Sequence, residues 1–246
     1  MKTYYTTKQL KAAAREQLHT NWKKSVGITA FMLLLSILYF TLSLTSASMF
    51  SVILSYAYPL LEAIFQVGVL SFFLKIACGY GHEATLDDIF YGFRHKPSTI
   101  ILLYLLFTII YMPIFILIII ATISMVILAI GNLIIPIVIS TILFILLIIG
   151  YIYYISLTYG MVYYLFLDYP DLPIIELMKR SKQIMQGNRL RLLYLELSFI
   201  PLQFLATISF QIGSLWVTPY MHMTRSLFYL NLVQTPINSQ KEELPY

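Results

Sequence analysis

Cysteine is almost missing from this chain, for Cys78 is the single one in 246 residues. A disulfide framework and every CxxC metal or redox motif are thereby excluded; Cys78 itself, set in an apolar run, reads as a small core residue. Charge is scarce too. Asp, Glu, Lys and Arg make up 11% of the residues, against roughly 25% in a soluble domain, too few to cover an ordinary water-facing surface. No HExxH, GxSxG or P-loop pattern occurs, and Gly79-Tyr80-Gly81 does not extend to a phosphate-binding GxGxxG. With no spaced set of His and carboxylates either, the expectation is a protein that is not an enzyme, with no catalytic, cofactor-binding or metal-binding residues and no cofactor.

What the chain has instead is apolar length. Hydrophobic residues make up 59% of it and the mean hydropathy is +0.81, which places it among membrane proteins. A helix crosses the hydrocarbon core of roughly 30 Å with about 20 residues. Residues 97–167 run without a single Asp, Glu, Lys, Arg or His, enough for two crossings, which divide at Gly131-Asn132 before Pro136. The expected fold is all-α, a polytopic bundle of about six transmembrane helices near 25–44, 59–78, 99–121, 137–159, 192–208 and 212–232. The last is the weakest because it contains Pro219, His222 and Arg225. Residues 1–24 are expected to form a cytoplasmic amphipathic helix, and residues 233–246 a disordered cytoplasmic tail.

Lysine and arginine orient the bundle. All 16 fall in the N-terminal segment, in the connections between spans two and three and between four and five, or at the C-terminal end. The three opposite connections have none. Both termini are therefore expected in the cytoplasm, in a cell membrane, with an uncleaved first helix; a signal peptide cleaved near Thr45-Ser46-Ala47 is the alternative. The net charge of +5 flanks apolar spans instead of forming one face, so anionic headgroups are the expected partner and nucleic acid is not. A membrane protein partner or a second copy of the chain is the further contact expected.

Each segment preceding an odd-numbered span carries a helical apolar stripe: Leu10, Ala14 and Leu18; then Leu86, Ile89, Phe90 and Phe93 behind a Thr85/Asp88 capping box; then Ile174, Met178 and Met185, with Asp171 as N-cap and Gly187 as stop. Such helices can lie in the headgroup plane. The plan reads as an interfacial helix followed by a membrane hairpin, three times over. Gln17-Leu18 before Asn21 and Gln183-Ile184 before Asn188 echo one another, which duplication and convergent patterning explain equally well.

Several short stretches resemble a known family. Ala14-Arg15-Glu16-Gln17-Leu18 with Asn21-Trp22, the run Asp88-Ile89-Phe90-Tyr91-Gly92-Phe93, Gln186-Gly187-Asn188-Arg189, and Ile212-Gly213-Ser214-Leu215-Trp216 through Tyr220 and Phe228-Tyr229 are similar to domain-of-unknown-function family 975. The resemblance covers nearly the whole chain. It implies a multipass membrane protein of Gram-positive-type bacteria, with no established activity to carry over.

Among polar residues Glu196 stands out, since an ionisable group within a span is costly and functional by default. Counting from an outer turn near Phe210 brings it level with His222 and Arg225. A Glu196–Arg225 ion pair pinning the last hairpin is the expectation; a proton or substrate site of Glu196 and His222, between helices broken by Pro201 and Pro219, is the alternative. Met221-His222-Met223 offers soft copper ligands, but successive helical residues point about 100° apart and cannot share one ion. Glu62 and Lys75 lie where they can reach headgroups. Two functions compete: a non-enzymatic membrane component that binds or regulates a partner, and a small transporter, exporter subunit or peptide-resistance protein using the last hairpin.

Overall fold

A computed structural model of the protein describes residues 4–45, 49–131 and 133–233, which are helical almost throughout, with no strand among the described residues. The chain opens with α1 (Thr7–Thr45) and α2 (Met49–Ala77), followed by a 3₁₀ turn (Leu86–Phe90) and a single α turn, α3 (Tyr91–Arg94). Two long helices come next, α4 (Pro97–Ile130) and α5 (Ile134–Tyr159), and then α6 (Val162–Asp168) and α7 (Ile174–Ile184). The last hairpin comprises α8 (Arg189–Leu197), α9 (Ile200–Ile208) and α10 (Ser214–Val233).

Local chemistry sets these boundaries. Lys96 takes a left-handed conformation, φ 52°, and Pro97 in the first turn then starts α4 where its missing N–H costs nothing. Pro201 sits in the first turn of α9, so the expected break in the fifth span separates α8 from α9. The expected N-terminal helix and first span form one 39-residue helix, interrupted only at Asn21 (φ −107°, ψ 15°). At 1.5 Å per residue α1 is roughly 58 Å long, well beyond the hydrocarbon thickness.

Burial is confined to one end of the molecule. Leu10, Ala14, Leu18 and Ile28 of α1, the part of α2 from Ile64 onward, and parts of α6, α7, α8 and α10 make a packed body. Beyond it the outer lengths of α1 and α2, and α4 and α5 between residues 104 and 154, contain no buried residue among those described. Two glycines allow the closest approach. A Cβ at Gly68 would lie 2.1 Å from the Ile89 carbonyl oxygen, and one at Gly92 would lie 2.4 Å from that of Ile64, so the 3₁₀ turn and α3 rest directly on the backbone of α2.

Among the described residues five helical stretches are long and apolar enough to cross a membrane: Thr7–Leu44, Met49–Ala77, Pro97–Ile130, Ile134–Asp168 and Arg189–Ile208. Six crossings were expected; α10 falls outside this set because it carries His222, Thr224, Arg225, Ser226 and Asn231. It packs along the first third of α1. The Tyr5 N–H donates to Asn231 Oδ1 at 3.3 Å, and the Tyr220 hydroxyl to the Lys11 carbonyl at 3.3 Å.

Several expectations need correction. The Leu10, Ala14 and Leu18 stripe does not face headgroups: each is at most 3% exposed, packed in clusters with Phe228 and Tyr229 or with Met223, Phe72 and Phe73. Asp171 does not cap α7, which Pro173 precedes; its carboxylate instead takes the Lys96 ammonium. Cys78 is exposed just past α2, where the helix has ended, and is not a core residue. The tail beyond Val233, Asn132 of the expected turn and Ser46-Ala47 of the alternative cleavage site lie outside the described residues.

Candidate functional site

Polar side chains concentrate in the body, where helix ends converge. Arg225, midway along α10, donates from Nη2 to Glu196 Oε1 of α8 at 2.6 Å. The Glu196 side chain is 16% exposed and that of Arg225 38%, so the carboxylate is shielded while the guanidinium keeps one edge open. The separation of 29 residues is spanned because α9 and α10 fold back antiparallel around the turn at Phe210 and Gln211, both at positive φ.

His222 does not join that pair. Its ring stacks on Phe73 of α2, 5.3 Å between centroids and 13° from parallel, and its Nδ1 is buried without a hydrogen-bond partner. Met223 is fully buried and the Met221 sulfur accepts from Gln203 Nε2 at 3.2 Å, so the three neighbouring side chains diverge. Among the described residues no group of three or more His, Cys, Asp or Glu is placed to hold a metal. Glu62 is half-buried on α2, one turn beyond Tyr58, whose ring stacks on Tyr39.

The expected Thr85/Asp88 capping box is present, with the Thr85 N–H donating to Asp88 Oδ2 at 2.9 Å. Other contacts were not anticipated. Lys75 donates to Asp88 Oδ1 at 2.5 Å, tying the 3₁₀ turn to α2. The Tyr229 hydroxyl donates to Asp168, and Tyr229 stacks on Tyr164 at 5.1 Å, linking α10 to α6. Asp168 had one signal, as the first charge after the long uncharged run; nothing local named its partner 61 residues away. Arg191 donates to Asn188 Oδ1, the Tyr5 carbonyl and Asn231 Oδ1 at 2.7, 3.0 and 3.0 Å and lies over Tyr4, fastening the segment that leads into α1 to α8 and α10.

A groove of about 840 Å³ opens between α1 and the α9–α10 hairpin, with Lys11, Arg15 and His19 on one helix and Leu202, Trp216 and Val217 on the other two. Lys11 is partly engaged, donating to the Ser198 carbonyl at 2.9 Å beneath the Phe199 ring.

Several apolar helices of spanning length, converging on a body whose charges pair internally, define a polytopic α-helical membrane protein. A profile of the family described as protein of unknown function (DUF975) matches residues 1–236, and the chain belongs to that family. No match is found among curated proteins or among solved structures.

Proposed function

We propose that this is a non-enzymatic membrane component that binds or regulates a membrane protein partner through its body, which lies at the cytoplasmic face of the cell membrane. The observation that carries the reading is the internal pairing of the polar groups. Glu196 with Arg225, Asp168 with Tyr229 and Lys75 with Asp88 satisfy one another, and α4 and α5 offer no charged residue to line an aqueous path. A transporter needs polar stripes on several helices around a shared cavity.

The orientation follows from charge. Every described Lys and Arg belongs to the body or its edges, whereas the turns after α1, α4 and α9 contain neither residue. The last hairpin leaves both termini on one side whether it crosses fully or only dips in. Exposed Ile175 on α7, and Leu190 and Tyr194 on α8, beside exposed Lys179 and Lys182, supply a contact surface of mixed character.

Two measurements test this. Cys78, the only cysteine and exposed on the body, should react with a membrane-impermeant maleimide in inside-out vesicles and not in intact cells. Labelling of intact cells would remove the orientation. A photocrosslinking residue at Ile175 or Tyr194 should give a discrete adduct that the same residue at Ile119 does not, whereas identical patterns accompanied by solute flux in proteoliposomes would reverse the ranking in favour of transport.

A further inference from the structure

We propose that the groove between α1 and the α9–α10 hairpin is a binding site for one anionic phospholipid, its phosphate held at Arg15 between Lys11 and His19 and its acyl chain laid along Trp22, Trp216 and Val217. The inference goes beyond general attraction of headgroups to basic residues, because it assigns one lipid to one built cleft. It is independent of which protein the body contacts.

Three observations support it. First, charge is complementary to an anion: Lys11 and Arg15 lie on successive turns of one face of α1, with the His19 ring a further turn along as a hydrogen-bonding group, and among the described residues no carboxylate pairs with any of them. Glu16, the nearest acid in sequence, is exposed and does not line the groove. Arg15 is exposed at the groove wall: its Nε makes a long 3.4 Å bond to the Lys11 carbonyl and its guanidinium lies 6.0 Å from the centre of the Tyr220 ring. A guanidinium presents a planar fork that suits a phosphate diester.

Second, the remaining wall is apolar and aromatic. Trp22, Trp216 and Tyr220 line it with Leu18, Leu202 and Val217, the combination of an apolar body and a polar edge that settles at the headgroup level. Third, the groove runs into a surface that demands lipid. Beyond Leu202, α9 exposes Phe204, Leu205 and Ile208 at 65%, 62% and 61%, and Phe210 at the hairpin tip is 92% exposed. An acyl chain leaving the cleft therefore enters an apolar environment continuous with it. The volume of about 840 Å³ lies within the roughly 300–1,000 Å³ of ordinary ligand sites.

The chain carries its own probe. It has two tryptophans, and both line this groove. The full-length protein is reconstituted in vesicles of equal parts phosphatidylglycerol and phosphatidylcholine, with either the first or the second brominated on its acyl chains, so that surface charge stays constant while the quencher changes place. Brominated phosphatidylglycerol is expected to quench tryptophan fluorescence at least about twofold more strongly than brominated phosphatidylcholine, as near-surface cations enrich anionic lipid locally. Arg15→Gln should bring the two close to equality and Arg15→Lys should preserve most of the difference. Val217→Phe, which narrows the cleft and leaves every charge in place, should weaken quenching by the anionic lipid most. A Lys8→Gln/Lys23→Gln variant, which removes exposed cations outside the groove, should behave as the unaltered protein. Equal quenching by both lipids in the unaltered protein, or loss of selectivity in the Lys8/Lys23 variant with retention in Arg15→Gln, would overturn the site and reduce the effect to surface charge.

Discussion

The body and the α4–α5 hairpin are built from the same helices-and-turns vocabulary, but on different terms. In the body each helix meets others at chosen points: Gly68 under Ile89, Tyr229 on Tyr164, Arg191 across three segments. Between residues 104 and 154 none of the described residues is buried, and the main polar link between α4 and α5 is the Tyr151 hydroxyl donating to the Ile110 carbonyl at 2.7 Å. The bilayer alone is enough to keep that hairpin helical, because every backbone N–H and C=O must be satisfied within the helix. Shape in the hairpin is imposed by solvent; shape in the body is imposed by fit.

If that contrast holds, substitutions should separate the two regions cleanly. Gly68→Val should be the most damaging, since its Cβ would have to occupy the 2.1 Å gap before the Ile89 carbonyl. Overpacking against backbone costs about 3 kcal/mol, to be measured as lost resistance to denaturant in detergent micelles. A Gly68→Val protein as stable as the parent would mean that the 3₁₀ turn does not rest on α2. Glu196→Gln comes next, at about 1–2 kcal/mol, less than for a fully buried pair because Arg225 stays 38% exposed. Exchanging the two charges, Glu196→Arg with Arg225→Glu, should recover most of the loss produced by either reversal alone; no recovery would show that the pair does not pin the hairpin. The smallest effect belongs to Ile119→Ala. This side chain is 58% exposed on α4, and its truncation should change stability by less than about 0.5 kcal/mol. A larger loss would reveal that the hairpin is packed against something after all.

The same contrast explains what could be read from the residues alone. Spans three and four are legible because their signal is one-dimensional: residues 97–167 lack charge, and the length of that run dictates two crossings. Glu196 and Arg225 could be matched because both belong to one hairpin, where counting from the turn gives depth. Partners that meet across the fold could not be counted in this way. The stripe of Leu10, Ala14 and Leu18 announces that one face is buried without naming α10 as its cover, and headgroups were the local answer. Likewise Lys75 and Asp171 look like residues reaching for water or for a helix end, while their partners come from other segments; Asp88 caps at Thr85 as its spacing suggests, but nothing local names Lys75 as its second partner. The echo between Asn21 and Asn188 gains from the structure. Both sit at φ near −108°, with −107° at Asn21 and −108° at Asn188, and both donate from Nδ2 to the carbonyl four residues back, at 3.3 and 3.1 Å. The two joints are one device used twice, which the thin sequence likeness only suggested.

The pairing of α1 with α10 also dictates an order of assembly. The stripe on α1 leaves the ribosome more than two hundred residues before Met223, Phe228 and Tyr229 of α10, so until α10 appears only the α2 side of that face, at Phe72 and Phe73, can be covered. The hairpins can enter the bilayer one at a time as they emerge, because each is self-sufficient there. The body cannot close until α10 returns to α1, so Leu10, Ala14 and Leu18 stay incompletely covered in the interval.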